Sequence, residues 1–325
     1  MIVAYSLSHG TLKSVTVPAG SPVPTTAVWI DVVTPSPLED DAIEAVLGIE
    51  IPTREEMAEI EQSSRLYDEN GARYATAALL CRTDSETPGL VNVTFIIAGQ
   101  TLITVRYDEP KAFPIIASRL SHACPAGITG EAVLIELLEA IVDRAADMLE
   151  RIGADVERIS KRVFEPSSEG ENANQRYRTI LAHTGRKEGL VSSARESLAS
   201  LQRLLSFLGT QTETVQLGQE ARAALKSMGR DVSGLSDYAA FIGDKLQFIL
   251  DATIGMVSLE QNNIIKIFAV LSVVLMPPTL IASIYGMNFQ HMPELAWHYA
   301  YPAALVAMVI SGILPYVFFK WRGWL

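Results

Sequence analysis

The 325-residue sequence is short of cysteine, of basic charge and of catalytic motifs, and each shortage removes a class of function. Its two cysteines, Cys81 and Cys124, form no C-x-x-C pair, which argues against a disulfide scaffold or a structural zinc site. Lys and Arg number 26 against 37 Asp and Glu, a formal charge of -11. No cationic excess exists to offset the phosphates of a nucleic acid, so nucleic acid is excluded as a partner. The sequence contains no H-E-x-x-H, no G-x-S-x-G and no P-loop. Gly185-Arg186-Lys187-Glu188-Gly189 lacks the phosphate-loop spacing, so the chain does not read as an enzyme. The first ten residues carry neither a basic segment nor a long apolar run, unlike a signal peptide.

Charge is also missing locally, over 267–285 and again over 300–319. Each stretch is about 20 residues, enough to cross a hydrocarbon core of roughly 30 Å as a helix. Two in succession predict a membrane hairpin at the C-terminal end. Lys266 precedes the first, Lys320 and Arg322 follow the second, and the connecting loop holds no Lys or Arg. The positive-inside rule then puts both termini in the cytoplasm and the loop outside, with Tyr and Trp residues marking the two interfaces. Residues 264–325 hold those three cations against Glu294, a net of +2. The preceding 263 residues therefore carry -13. An acidic cytoplasmic part and a nearly uncharged hairpin lie behind one mean.

Apolar and β-branched runs at 2–7, 12–17, 27–33, 73–81, 91–97 and 101–107 read as strands, and 38–47, 54–61 and 110–123 as helices. Residues 1–125 are thus expected to form a cytoplasmic α/β domain. Residues 126–263 read as a helical stalk, with helices over 132–163 and 174–208 separated by breakers at 166–172. A third helical pattern starts near 215 and meets no strong stop before the membrane. Continued to Tyr285 it would span about 70 residues, on the order of 105 Å. The hairpin, 264–325, is expected to place one helix over about 264–286 and the other over about 300–319.

The end of the first span reads Tyr285-Gly286-Met287-Asn288-Phe289, followed by Met292-Pro293-Glu294-Leu295, and the expected cytoplasmic end of the second span reads Lys320-Trp321-Arg322. Here the sequence closely resembles the CorA family of magnesium and cobalt channels. Pro52-Thr53-Arg54-Glu55-Glu56 and Ser64-Arg65-Leu66-Tyr67 add looser family signatures. The resemblance implies a homopentameric funnel in a bacterial-type inner membrane, its first spans lining a pore and its second spans forming an outer ring. It implies Mg²⁺ as transported and regulatory ion, Co²⁺ or Ni²⁺ as secondary cargo, no organic cofactor, and selection of hydrated ions at Gly286, Met287 and Asn288. Two helices alone cannot enclose an aqueous path, so elementary geometry also demands several copies.

Steps of seven along the long helix give Asp237, Asp244, Asp251, Ser258, Ile265, Ser272 and Thr279, with Met276 and Ser283 four residues beyond Ser272 and Thr279. Seven residues are nearly two turns, drifting about 20° per step. In a symmetric ring this strip would stack side chains around one axis, carboxylates in the cytoplasm and hydroxyls in the membrane. Ile265, neighbouring Phe268 and Met276 would be apolar constrictions that gate by dewetting. Acidic residues on a helix are commonly a solvated face, and for Asp237 and Asp244 both readings stand. For Asp251 the resemblance favours an acidic ring at the cytoplasmic pore end. Glu294, the one acid after residue 263, either enriches cations at the outer mouth or simply faces solvent.

Feedback gating by intracellular Mg²⁺ is implied by the resemblance, with Asp231, Asp237 and Asp244 of the stalk and Asp84 or Glu86 of the α/β domain as candidate ligands. The family's favoured stalk position falls instead near Ser227, a departure in this sequence. Oxygen ligands and the lack of Cys along the path favour Mg²⁺ over Zn²⁺. His291 and His298 keep open a zinc transporter of the same superfamily, proton-coupled or not. Neither span contains a charged residue, which argues against an intramembrane carboxylate relay. A different class, a membrane-anchored metal sensor without transport, would need neither the polar strip nor an uncharged Gly-Met-Asn exit.

Overall fold

A mixed seven-stranded sheet organises the N-terminal part of the computed structural model, which describes residues 1–8, 10–82, 89–125, 127–165, 173–211, 217–288 and 292–323. Asp84, Glu86, the breaker segment 166–172, Phe289, His291 and Trp324 lie outside the described residues. The strands are β1 (Ile2–Ser8), β2 (Thr11–Val17), β3 (Ala27–Val33), β4 (Leu66–Glu69), β5 (Ala72–Cys81), β6 (Gly89–Ala98) and β7 (Thr101–Arg106). Their spatial order is β2-β1-β3-β7-β6-β5-β4, antiparallel throughout except for the parallel β3–β7 pair. That pair joins two hairpin-built halves, so its partners lie about 70 residues apart, as in Ile30 opposite Ile103. The β6–β7 hairpin turns at Gly99, whose φ of 58° is the left-handed value glycine adopts without penalty.

Helix α1 (Pro37–Leu47) starts with proline at its first position. The Glu39 carboxylate accepts a hydrogen bond from the Ser36 N–H at 3.0 Å. It stops at Gly48, φ 66°. Helix α2 (Arg54–Ala58) is opened by a reciprocal Thr53–Glu56 capping box. Helix α3 (Gln62–Arg65) follows as one turn, and α4 (Ala112–His122) comes after the sheet. Ile2, Ile30, Ile43, Met57, Tyr74, Ile96 and Ile103 are among the residues of one buried apolar cluster between sheet and helices. A buried ion pair sits in the sheet interior. Arg106 donates to both oxygens of Asp31, from Nη2 at 2.8 Å and Nε at 3.1 Å. Thr104 donates to the same carboxylate and Trp29 Nε1 to Thr104. Every oxygen of the buried acid is thus matched, the condition for tolerating charge there.

Three long helices follow: α5 (Gly130–Phe164), α6 (Ala173–Gly209) and α7 (Gln219–Tyr285). Thr129 caps α5, its hydroxyl oxygen accepting from the Ala132 N–H. Gly130 begins α5 against the β6–β7 turn, where a Cβ would lie 2.3 Å from the Leu102 nitrogen, so no other residue fits. Arg73, fully buried, grips Asp68 with two nitrogens and donates to the Thr210 carbonyl at 2.7 Å, anchoring β5 to the segment just past α6. On α7, Leu225, Met228, Val232, Ala239, Ile242, Leu246 and Ile249 form a buried row at three-, four- and seven-residue steps. The chain divides into two compact units: Met1–Ser168 with Thr179–Ile249, and Glu169–Arg178 with Leu250–Leu325. The second contains the last part of α7, a 3₁₀ turn at Pro293–Ala296 and helix α8 (Ala300–Trp321).

Candidate functional site

Helix α7 carries every member of the polar strip, and its buried row fixes where the first two members face. Asp237 stands two residues before buried Ala239, and Asp244 two residues from both Ile242 and Leu246. At about 100° per residue each carboxylate lies on nearly the opposite side of the helix. Asp237, Asp244 and Asp251 are all exposed. Asp231 is exposed too, but six residues before Asp237 it is turned about 120° off the strip. Beside Asp244, Lys245 pairs with Glu157 of α5, and that hydrogen bond holds the Glu157 carboxyl below its usual range.

Past residue 250 almost nothing on α7 is covered. Ile265 is 63% exposed, Phe268 64% and Met276 67%. Ser258, Ser272, Thr279 and Ser283 are exposed as well. So many large apolar side chains cannot face water on every side of a stable helix; lipid or further protein must cover most of them. Both α7 and α8 contain segments long and apolar enough to cross a membrane.

The hydroxyls share one geometry. Ser258 donates to the Ile254 carbonyl at 3.1 Å, Ser272 to Phe268 at 2.8 Å and Thr279 to Leu275 at 2.7 Å. Each proton is spent on the carbonyl four residues back, leaving the oxygen lone pairs as acceptors toward the exposed face. Such a row carries no charge and has oxygen acceptors to offer.

Pro277 and Pro278 sit inside α7 without ending it. Their rings remove the N–H donors that would ordinarily serve the Val273 and Val274 carbonyls. Gly312 of α8 lies beside this point, where a Cβ would be 3.4 Å from Pro278 Cγ and 3.5 Å from the Val274 oxygen. Sequence reading passed over this pair, though a glycine midway through an apolar helix was the available signal.

The helix closes with Gly286 N–H donating to the Ala282 carbonyl at 2.9 Å and Met287 N–H to Ile284 at 3.2 Å. A Cβ at residue 286 would come 3.1 Å from the Ala282 oxygen. Glycine thus suits the tight final turn, while its backbone is not left-handed. Met287 and Asn288 follow outside the helix, both exposed. Glu294 belongs to the 3₁₀ turn, and His298 packs edge-on against Tyr299. Among the described residues, no group of three His, Cys, Asp or Glu side chains within one chain is arranged to hold a metal ion.

The family model of the CorA-like Mg²⁺ transporter protein matches residues 25–321. The chain belongs to this family. The CorA-like transporters move divalent cations and are not enzymes, so the chain is a divalent-cation transporter. It is 32% identical to the magnesium transport protein CorA of Escherichia coli K12 over 325 residues, covering all of both chains. The structure of the CorA magnesium transporter from Methanocaldococcus jannaschii superposes with a TM-score of 0.80 at 18% identity, over 100% of this chain and 99% of that one. The ZntB cytoplasmic domain from Vibrio parahaemolyticus shares the fold at a TM-score of 0.58 and 12% identity, over 79% of this chain and 97% of that one. CorA-like architecture therefore accounts for the α/β domain, the long helix and the two apolar C-terminal helices.

Proposed function

We propose that the chain is a Mg²⁺ channel of a bacterial-type inner membrane, working as a homopentamer with both termini in the cytoplasm. The relatives named for magnesium transport support the choice of ion. The observation that carries the mechanism is the unbroken α7, whose exposed strip runs from Asp237 through inward-bonded hydroxyls to the Gly-Met-Asn exit. Around a five-fold axis, Asp251 forms the cytoplasmic ring of the pore. Ser258, Ser272, Thr279 and Ser283 offer oxygens to a hydrated ion, and Ile265, Phe268 and Met276 form constrictions that empty of water when closed.

Mg²⁺ dehydrates reluctantly and favours octahedral water. Five neutral Asn288 amides at the mouth, set by Gly286 and Met287, orient that water shell without trapping the ion as carboxylates would. Glu294 raises the local cation concentration. Co²⁺ and Ni²⁺ pass as secondary cargo.

Cytoplasmic Mg²⁺ closes the channel by bridging carboxylates of adjacent subunits, drawn from Asp231, Asp237, Asp244 and Asp251 with Asp84 or Glu86. In a pentamer the part before residue 264 would carry about -65 by formal count, a repulsion that bound divalent ions relieve.

The test is dye-reported uptake by the purified protein in liposomes, comparing Mg²⁺, Co²⁺, Ni²⁺ and Zn²⁺ with and without a pH gradient. Mg²⁺ uptake independent of the gradient is expected. Zn²⁺ uptake driven by protons would replace this reading with a zinc transporter, and absence of all metal flux with a membrane-anchored sensor.

A further inference from the structure

Upstream of its uncharged stretch, α7 leaves two large aromatic side chains uncovered: Phe241 is 59% exposed and Phe248 56%. They stand four residues after Asp237 and Asp244. At about 100° per residue that step turns the helix by about 40°, so the phenyl rings share the face of the carboxylates. The buried row of Ala239, Ile242, Leu246 and Ile249 lies on the opposite side. Asp237, Phe241, Asp244 and Phe248 thus follow one another at four, three and four residues. That is the spacing of a seam between helices wound about a common axis. Such a seam is ordinarily apolar at every level; here carboxylate and phenyl alternate.

Each phenyl ring is backed from one side by its own subunit. Tyr238 stacks on Phe241 with ring centroids 6.4 Å apart, and its hydroxyl fills the space left by Gly153 of α5. Phe164, the last residue of α5, packs against Phe248 at 6.2 Å. Lys245, between the two phenyls along the chain, pairs with Glu157 of α5. Helix α5 therefore props the rings without covering them. Burial of such rings is favourable, and the seam spacing names what covers them: the same residues of neighbouring copies.

We propose that Phe241 and Phe248 of neighbouring copies form two apolar collars around the ion path, a cytoplasmic constriction additional to Ile265, Phe268 and Met276. The proposal rests on the reading of α7 as the pore-lining helix of an oligomer. About 6 Å of helical rise separates each collar from the acid level before it. At the acid levels a hydrated Mg²⁺ meets carboxylate oxygens; at the collars it meets no acceptor at all. Because Mg²⁺ gives up its water reluctantly, it crosses a collar only while the collar is wide and wet enough for the hydrated ion. The collars therefore limit the rate of passage.

The test uses the full-length protein in liposomes, reading Mg²⁺ uptake by dye, with oligomeric mass measured on every variant. Phe241→Ala/Phe248→Ala should keep the wild-type mass and raise the initial uptake rate at least threefold. Phe241→Leu/Phe248→Leu, which retains apolar collars, should stay within twofold of the unaltered protein. Phe248→Cys should give disulfide-linked copies on mild oxidation, with the unaltered protein and its Cys81 and Cys124 as the background. A rise below threefold in the alanine variant, or a fall, overturns the proposal and leaves the channel reading in place. So does a leucine variant as fast as the alanine one. Loss of the wild-type mass in the alanine variant overturns it too, by making the phenyls a contact between copies and not a constriction. Cross-linking no greater than background overturns it, since residues that close a path must approach one another. No uptake by the unaltered protein removes the channel reading itself, and the collars with it.

Discussion

Gly312 of α8 packs beside Pro278 of α7: an added Cβ would lie 3.4 Å from Pro278 Cγ, at ordinary van der Waals contact. The contact falls where α7 has lost two of its own hydrogen bonds to proline, so α8 steadies the first span at its softest point. Gly312→Ala should leave Mg²⁺ uptake within about twofold, because the new methyl makes only van der Waals contact. Gly312→Leu should cut uptake severalfold by forcing the helices apart, an overpacking cost of roughly 1–3 kcal/mol. Uptake into liposomes at equal protein density checks both. Equal rates in the two variants would remove the contact from the account.

A pH prediction rests on Asp40. Burial, together with Glu44, Glu39 and Asp41 nearby, pushes its carboxyl up to about 6. A raised carboxyl favours folding where it is protonated, so its contribution is fullest below the unfolded value near 4 and is lost as pH rises to about 6. Asp40→Asn should therefore raise the melting temperature at pH 7 by a degree or more, and the gain should vanish toward pH 4. Calorimetry of the purified protein at both pH values measures this. A gain that grew on acidification would have the wrong sign.

For the regulatory carboxylates, Asp237→Ala and Asp251→Ala should each weaken the protection that Mg²⁺ gives the cytoplasmic part against protease. The expected shift is severalfold in the Mg²⁺ concentration needed for half protection. Unchanged protection in both variants would place sensing elsewhere.

Much of the fold was legible because its signals are local. Breakers, apolar runs and helical spacing placed α1, α4, α5, α6 and both apolar helices within a few residues of where they stand. Of the pattern over 54–61 only the five-residue α2 forms, since the Glu59 backbone leaves the helical region at ψ 144°, and the turn of α3 comes after it at Gln62–Arg65. Strand β4 escaped notice because its Leu66–Glu69 segment is two polar residues out of four, held by pairing to β5 rather than by its own pattern. The parallel β3–β7 pair could not be read at all: nothing near Trp29 states that Leu102 will be its neighbour.

The polar strip was legible as a period, but period alone does not fix direction. Only the buried row from Leu225 to Ile249 shows that Asp237 and Asp244 face away from their own subunit's helices. Heptad drift accumulates to about 80° between Asp251 and Thr279, and the four-residue steps to Met276 and Ser283 turn back about 40° each.

The central claim is that hydrated Mg²⁺ is selected by the neutral Gly286-Met287-Asn288 mouth. Its most direct test is Mg²⁺ uptake into liposomes by Asn288→Ala beside the unaltered protein, with oligomeric mass measured on both. The account predicts wild-type mass with Mg²⁺ uptake reduced to background. Mg²⁺ uptake retained at the wild-type rate and selectivity would contradict it.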